Sequence, residues 1–132
     1  MRTVACTIRE ARQRLNTARA YLEAAELILG DERREFSGVA AGNAVLAGIA
    51  AADAICGKGQ KKFFRGEDHR QAADLLEAAF ADGPKCKKTF LRLLDMKDAA
   101  HYGFEDFSRL NARKAVKLAR ELVASADDYF QR

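Results

Sequence analysis

Apolar and polar positions along the chain fall into helical stripes. Val4, Ile8, Ala11, Leu15, Ala18, Leu22, Ala25 and Leu29 recur at alternating steps of four and three, which keeps them on one face of a helix. Arg9, Arg12, Arg19, Glu23 and Glu26 mostly lie off that face. The pattern predicts a first amphipathic helix from Thr3 to Leu29, stopped by Gly30. From Val39 to Cys56 the periodicity vanishes, because VAAGNAVLAGIAAADAIC is small or apolar except at Asn43 and Asp53. A helix apolar on every side is buried on every side. This stretch is therefore the expected central helix, with Ser37 as its N-cap and with Gly57 and Gly59 ending it.

Three further helices follow. Asp68 is placed to cap one whose apolar side is Ala72, Leu75, Leu76, Ala79 and Phe80, closed by ADGP and its proline. A fourth starts near Lys85, carries Phe90, Leu91, Leu94, Ala99 and Tyr102, and stops at Gly103. The last begins after Ser108 or Asn111 and runs to Tyr129 or Phe130 on an inner stripe of Ala112, Ala115, Ala119, Leu122, Val123 and Ala126. No strand-like alternation competes with these patterns. The expected fold is all-α, an up-and-down four-helix bundle with an additional short helix, in one domain over residues 1–132.

Composition narrows the class without changing the fold. The chain is 48% hydrophobic with one Pro, enough for a core and without a linker-like segment. Lys and Arg outnumber Asp and Glu by 23 to 19, a net charge of +4, which permits an anionic partner but does not demand one. Cys6, Cys56 and Cys86 are odd in number and form no CxxC or Cys/His cluster, so they read as reduced thiols of a cytoplasmic protein. Charges run through the N-terminal MRTVACTIREARQRL, against a secretory signal, and Asp53 weighs against a membrane span by the central helix.

Candidate chemistry rests on few residues. Asp53, in an apolar helix, requires a donor, a cation or a retained proton, and a structural hydrogen bond or an exposed helix edge would serve equally. Asn43 lies ten residues before it, within about 80° on an ideal helix but about three turns away, so the two do not form one compact site. His69 and His101 are the only histidines. Lys97 and His101 are spaced i and i+4 and share a helix face, with Arg92 and Asp98 near in sequence, a set that could bind phosphate and move a proton or form an ordinary solvated face.

The stretch GKGQKKFFRGED sets Lys58, Lys61, Lys62 and Arg65 around Phe63 and Phe64. It reads either as a phosphate-contacting, base-stacking surface or as two aromatic plugs for the bundle end with solvated lysines. A second basic run is Lys85, Lys87, Lys88 and Arg92; were it beside the first, a positive patch would result. GKGQKK is no P-loop, and GxSxG, HExxH and paired-carboxylate patterns are lacking, so no metal and no cofactor are implied.

The layout resembles the HEPN (higher eukaryotes and prokaryotes nucleotide-binding) superfamily of small helical bundles. The resemblance is carried by AAELILGD, NAVLAGIAAADAIC, GKGQKKFFRGEDHRQAADLLEAAF with its His69, and LLDMKDAAHYG…ARKAVKLARELVASADDYF. Catalytic members are ribonucleases with an Arg, four to six residues, then His, typically supplied by both subunits of a dimer. His101 in DMKDAAHYG matches the histidine, but Met96 stands where four residues would intervene, Lys97 leaves three and Arg92 leaves eight. Lys also lacks the bidentate fork of Arg. The resemblance thus implies a non-catalytic module that binds RNA, a nucleotide or a protein partner, as a homodimer, in a toxin–antitoxin or defence setting and away from membranes. The alternatives are a metal-independent ribonuclease using His101 with Lys97 at a dimer interface, and a purely protein-binding scaffold or immunity protein. Asp53, Lys58, Lys61, Lys62, Arg65, His69 and Arg92 are the corresponding binding candidates.

Overall fold

The computed structural model describes residues 1–97, 100 and 107–132. Its elements are β1 (Thr3–Ala5), α1 (Ile8–Leu29), α2 (Glu35–Gln60), β2 (Lys62–Phe64), a 3-10 turn (His69–Gln71), α3 (Ala72–Glu77), α4 (Gly83–Leu94) and α5 (Arg109–Phe130). The fold is all-α apart from the two short strands. Helices α1, α2, α4 and α5 form the up-and-down bundle, and α3 is the additional short helix.

Side-chain contacts fix the helix directions. Arg19 Nε donates to Asp127 Oδ1 at 2.8 Å and Arg120 lies 3.7 Å from Glu26, so α1 and α5 run antiparallel. Arg109 Nη1 donates to the Asp31 carbonyl at 3.2 Å at one end, and Lys58 Nζ to the Tyr129 carbonyl at the other, so α2 and α5 run parallel. Central α2 is buried along most of its length, including Ala40, Ala44, Val45, Ala47, Ala51, Ala54 and Ile55. It is long and apolar enough to cross a membrane, with mean hydropathy 1.7, yet 78% of that window is buried within the bundle. Its apolar surface therefore serves the protein's own core, as in the central helix of a soluble bundle.

Several local expectations need correction. Thr3–Ala5 is not the start of α1. It pairs antiparallel with Lys62–Phe64, Thr3 opposite Phe64 and Ala5 opposite Lys62, so a small sheet exists where none was expected. The first helix begins at Ile8 because Thr7 and Glu10 form a capping box: Thr7 Oγ1 accepts from the Glu10 N–H at 3.1 Å, and Glu10 Oε1 from the Thr7 N–H at 3.0 Å. Ser37 is not an N-cap. It lies inside α2, 6% exposed, and Arg34 occupies the cap position. Asp68 caps the 3-10 turn, accepting from the Arg70 N–H at 3.2 Å, one step ahead of α3. The fourth helix is described as α4 to Leu94; Tyr102 and Gly103, the expected end, lie outside the described residues.

Gly57 and Gly59 do not end α2, which continues to Gln60 and stops at Lys61, whose φ of 58° is left-handed. Both glycines mark close approaches. A Cβ on Gly57 would lie 2.7 Å from Cys6 Sγ and 2.8 Å from Ala11 Cβ; one on Gly59 would lie 2.2 Å from the Ala79 carbonyl oxygen. A backbone oxygen cannot rotate away as a side chain can. Gly59→Ala therefore adds about 1 kcal/mol of helix propensity but overpacks the contact of α2 with the chain just after α3, which costs typically 1–3 kcal/mol and occasionally more. We expect a net loss of stability in urea denaturation, and an unchanged or raised midpoint would refute this contact.

Candidate functional site

Asp53 is the one carboxylate that α2 carries into the bundle, and its side chain is only 13% exposed. Its partner comes from α1. Arg14 Nη2 donates to Asp53 Oδ2 at 2.8 Å, with the arginine side chain 36% exposed. The close contact of Ala11 with Gly57 sets this register, since residues one turn further along antiparallel helices bring Arg14 to Asp53. Burial pushes the Asp53 carboxyl up, and the charge and hydrogen bond of Arg14 pull it partly back, leaving it at about 6. Burial first, then the Asp53 charge, raises the Cys56 thiol to about 12. Cys6 is raised as well, by burial and then by Glu10 and Asp53. These thiols are protonated and poor nucleophiles.

His69 is half-buried at the start of the 3-10 turn. Its ring meets Phe64 of β2 edge-on, with centroids 6.1 Å apart and planes at 74°. It borders a crevice of about 200 Å³ shared with Glu67, Asp68, Arg70, Leu94 and Lys97. Burial lowers the His69 pKa, the Lys97 charge lowers it further, Asp68 opposes them, and Arg14 adds a smaller depression. The imidazole is thus held neutral near pH 7, beside an ammonium. Arg70 is ion-paired with Asp95, which ties the turn to the end of α4. An anion entering the crevice would meet the Lys97 ammonium and would favour protonation of His69.

Asp53, His69 and Lys97 come from three separate segments; His69 and Lys97 share the crevice, whereas Asp53 and its partner Arg14 do not line it, and Arg14 reaches His69 only through a small effect of its charge. Sequence reasoning overlooked Arg14. Its signal was position, three residues after Ala11 at the margin of the apolar stripe, where a cation can reach a neighbouring helix.

The remaining candidates are dispersed. Lys58 belongs to α2, and its ammonium caps the end of α5 through the Tyr129 carbonyl while lying 4.2 Å from the Tyr129 ring centroid. It is not part of an exposed loop. Lys61, Lys62 and Arg65 are exposed on and beside β2, but Phe64 is buried and Phe63 packs against the core, so the aromatics act as plugs. Arg92 is exposed on α4. Lys87 is committed to Asp74 at 2.9 Å and Glu77 at 3.4 Å, so two acids on α3 take up one cation of the second basic run. Asn43 Nδ2 donates to the Val39 carbonyl at 2.9 Å within its own helix. His101 lies outside the described residues. Among the described residues no group of three or more His, Cys, Asp or Glu could hold a metal ion.

A carboxyl at about 6 against an ordinary 3.8 binds its proton more tightly in the folded than in the unfolded chain. Its contribution is therefore greatest below pH 4 and is lost as pH rises to about 6, by roughly 3 kcal/mol. We expect wild-type stability relative to Asp53→Asn to fall across this window in chemical denaturation at pH 4, 5, 6 and 7. A difference that does not vary with pH would rule this out.

Scans against protein-family models, curated proteins and solved structures find no match to this chain.

Proposed function

We propose that the chain is a HEPN-like, non-catalytic binding module of the cytoplasm that holds a phosphate group of RNA or of a nucleotide in the His69–Lys97 crevice. The observation that carries this reading is the convergence of Lys97 and a half-buried His69 from separate segments on one crevice. Phosphate supplies what those groups lack, an acceptor for the ammonium and a charge that stabilises imidazolium. Glu67 and Asp68 also line the crevice, so a phosphate there is held against two carboxylates, of which Asp68 accepts from the Arg70 N–H, while the Arg70 side chain pairs with Asp95. The non-catalytic part follows from the sequence, where no arginine precedes His101 with four to six residues between them.

The test is a pH titration of the His69 ring by NMR in the presence and absence of inorganic phosphate. Phosphate is expected to raise the His69 pKa in the wild type and to leave it unmoved in Lys97→Ala. Equal titration curves with and without phosphate would refute the site. Incubation with mixed RNA is expected to give no cleavage that depends on His101; cleavage abolished by His101→Ala would establish the ribonuclease reading instead.

A further inference from the structure

The first turns of α2 and α5 meet beside the loop that joins α1 to α2. A Cβ on Gly38 would lie 3.4 Å from Phe107 Cβ, so the chain leading into α5 rests directly on α2. Arg109 Nη1 donates to the Asp31 carbonyl at 3.2 Å and ties the same point to the loop. Between these contacts lies a recess of about 300 Å³, lined by Glu32, Arg34, Ser37, Phe107, Ser108 and Arg109.

The recess collects donors that lack acceptors. Ser37 is 6% exposed, and its hydroxyl makes no hydrogen bond to the described residues. Among those residues no polar side-chain atom is both sealed from solvent and without a partner, so this hydroxyl opens onto the recess that Ser37 lines. Backbone donors come from α5, whose 22 residues give its start the positive end of a full helix dipole. Its cap, Ser108, accepts only from the Asn111 N–H, at 3.0 Å. The N–H groups of Arg109 and Leu110 precede the first intrahelical bond and have no acceptor among the described residues. The half-buried Arg109 side chain adds a guanidinium that uses one of its donors on the Asp31 carbonyl. Arg34 has interactions of its own and contributes its charge. Glu32, which is exposed, is the one carboxylate among these lining residues.

Charge, depth and shape each narrow the occupant. Two guanidinium groups and a helix N-terminus against one carboxylate select an anion. The Ser37 hydroxyl is reached only from inside the recess, which selects the end of a molecule over the interior of a polymer such as a nucleic-acid backbone. The donors approach from the α5 backbone, from α2 and from an arginine side chain. Such spread suits a tetrahedral group with three free oxygens better than a carboxylate, whose two oxygens lie in one plane. A phosphate fills only part of the volume, and the Phe107 ring lines the remainder.

We propose that this recess binds a small phosphomonoester, its terminal phosphate on the Arg109 and Leu110 N–H groups and the Ser37 hydroxyl, and its organic part against Phe107. The recess shares no lining residue with the His69–Lys97 crevice, so the proposal stands or falls without that reading.

The test follows the Arg109 and Leu110 amide resonances by NMR while phenyl phosphate, inorganic phosphate, dimethyl phosphate and benzoate are titrated separately into the wild type and Ser37→Ala. Alanine suits the interior of α2, and circular dichroism checks the fold. Phenyl phosphate is expected to shift both amides saturably and to bind several-fold tighter than inorganic phosphate, with dimethyl phosphate and benzoate weaker still. Ser37→Ala is expected to weaken phenyl phosphate about tenfold, the ordinary worth of a hydrogen bond to a charged group. If that variant does not fold, Arg109→Gln carries the same comparison at the Leu110 amide. Absence of saturable shifts at these amides overturns the site, as does unchanged affinity in the folded variant. Benzoate or dimethyl phosphate binding as tightly as phenyl phosphate overturns the choice of a terminal phosphate, and equal binding of inorganic phosphate overturns the ester in favour of the free ion. Shifts at Arg109 and Leu110 with His69 unmoved by phosphate support the recess while the crevice reading falls; the reverse result overturns the recess alone.

Discussion

Everything in this structure depends on how closely its neighbours approach α2. That helix brings little apolar area per residue, since its core positions are mainly Ala and Gly, so it stabilises the bundle only through tight packing. Gly48 admits Leu93 and Leu122, Gly57 admits Cys6 and Ala11, and Gly59 admits the backbone at Ala79. These contacts come from α1 and the residue before it, from the chain just after α3, and from α4 and α5, so together they hold the other helices around one axis. A side chain in any of these gaps must displace either a packed residue or a carbonyl group.

The same closeness positions the chemistry. Ala11 against Gly57 sets the α1–α2 register that delivers Arg14 to Asp53. Extension of α2 through Gly59 to Gln60 carries the chain to Lys61, where the left-handed backbone turns it into β2. β2 then pairs with β1 and presents Phe64 to His69. The crevice and the basic ribbon are therefore two consequences of where α2 ends, separated by only a few residues of chain.

The helices were legible in the sequence because burial on one face imposes a periodicity that four of the five obey. The apolar run from Val39 to Cys56 announced a buried helix, and Asp53 within it announced a missing cation. What remained illegible depends on pairings distant in sequence. Thr3–Ala5 has too few residues to show alternation, and its strand state arises from partnership with Lys62–Phe64. Gly57 and Gly59 look the same in sequence whether they break a helix or admit a neighbour, and only the packing decides. Lys58 looked like one of four loop cations until the end of α5 gave it a carbonyl to cap. The convergence of His69 with Lys97 was hidden for the same reason, since the turn and the end of α4 are joined by α3 packing and the Arg70–Asp95 pair.

Charge in this molecule is divided between two settings with different physics. On the β1–β2 pair the cations are exposed, and their mutual repulsion is weakened by water and salt. In the crevice charges of both signs surround a half-buried imidazole, and burial already suppresses the His69 charge, so the response to an anion is a change of protonation as well as attraction. Ionic strength and pH consequently act on different parts of the protein. Exposed charge on the strands and protonation in the crevice are governed by separate variables, although one short segment of chain, from Lys61 to Arg70, carries most of both.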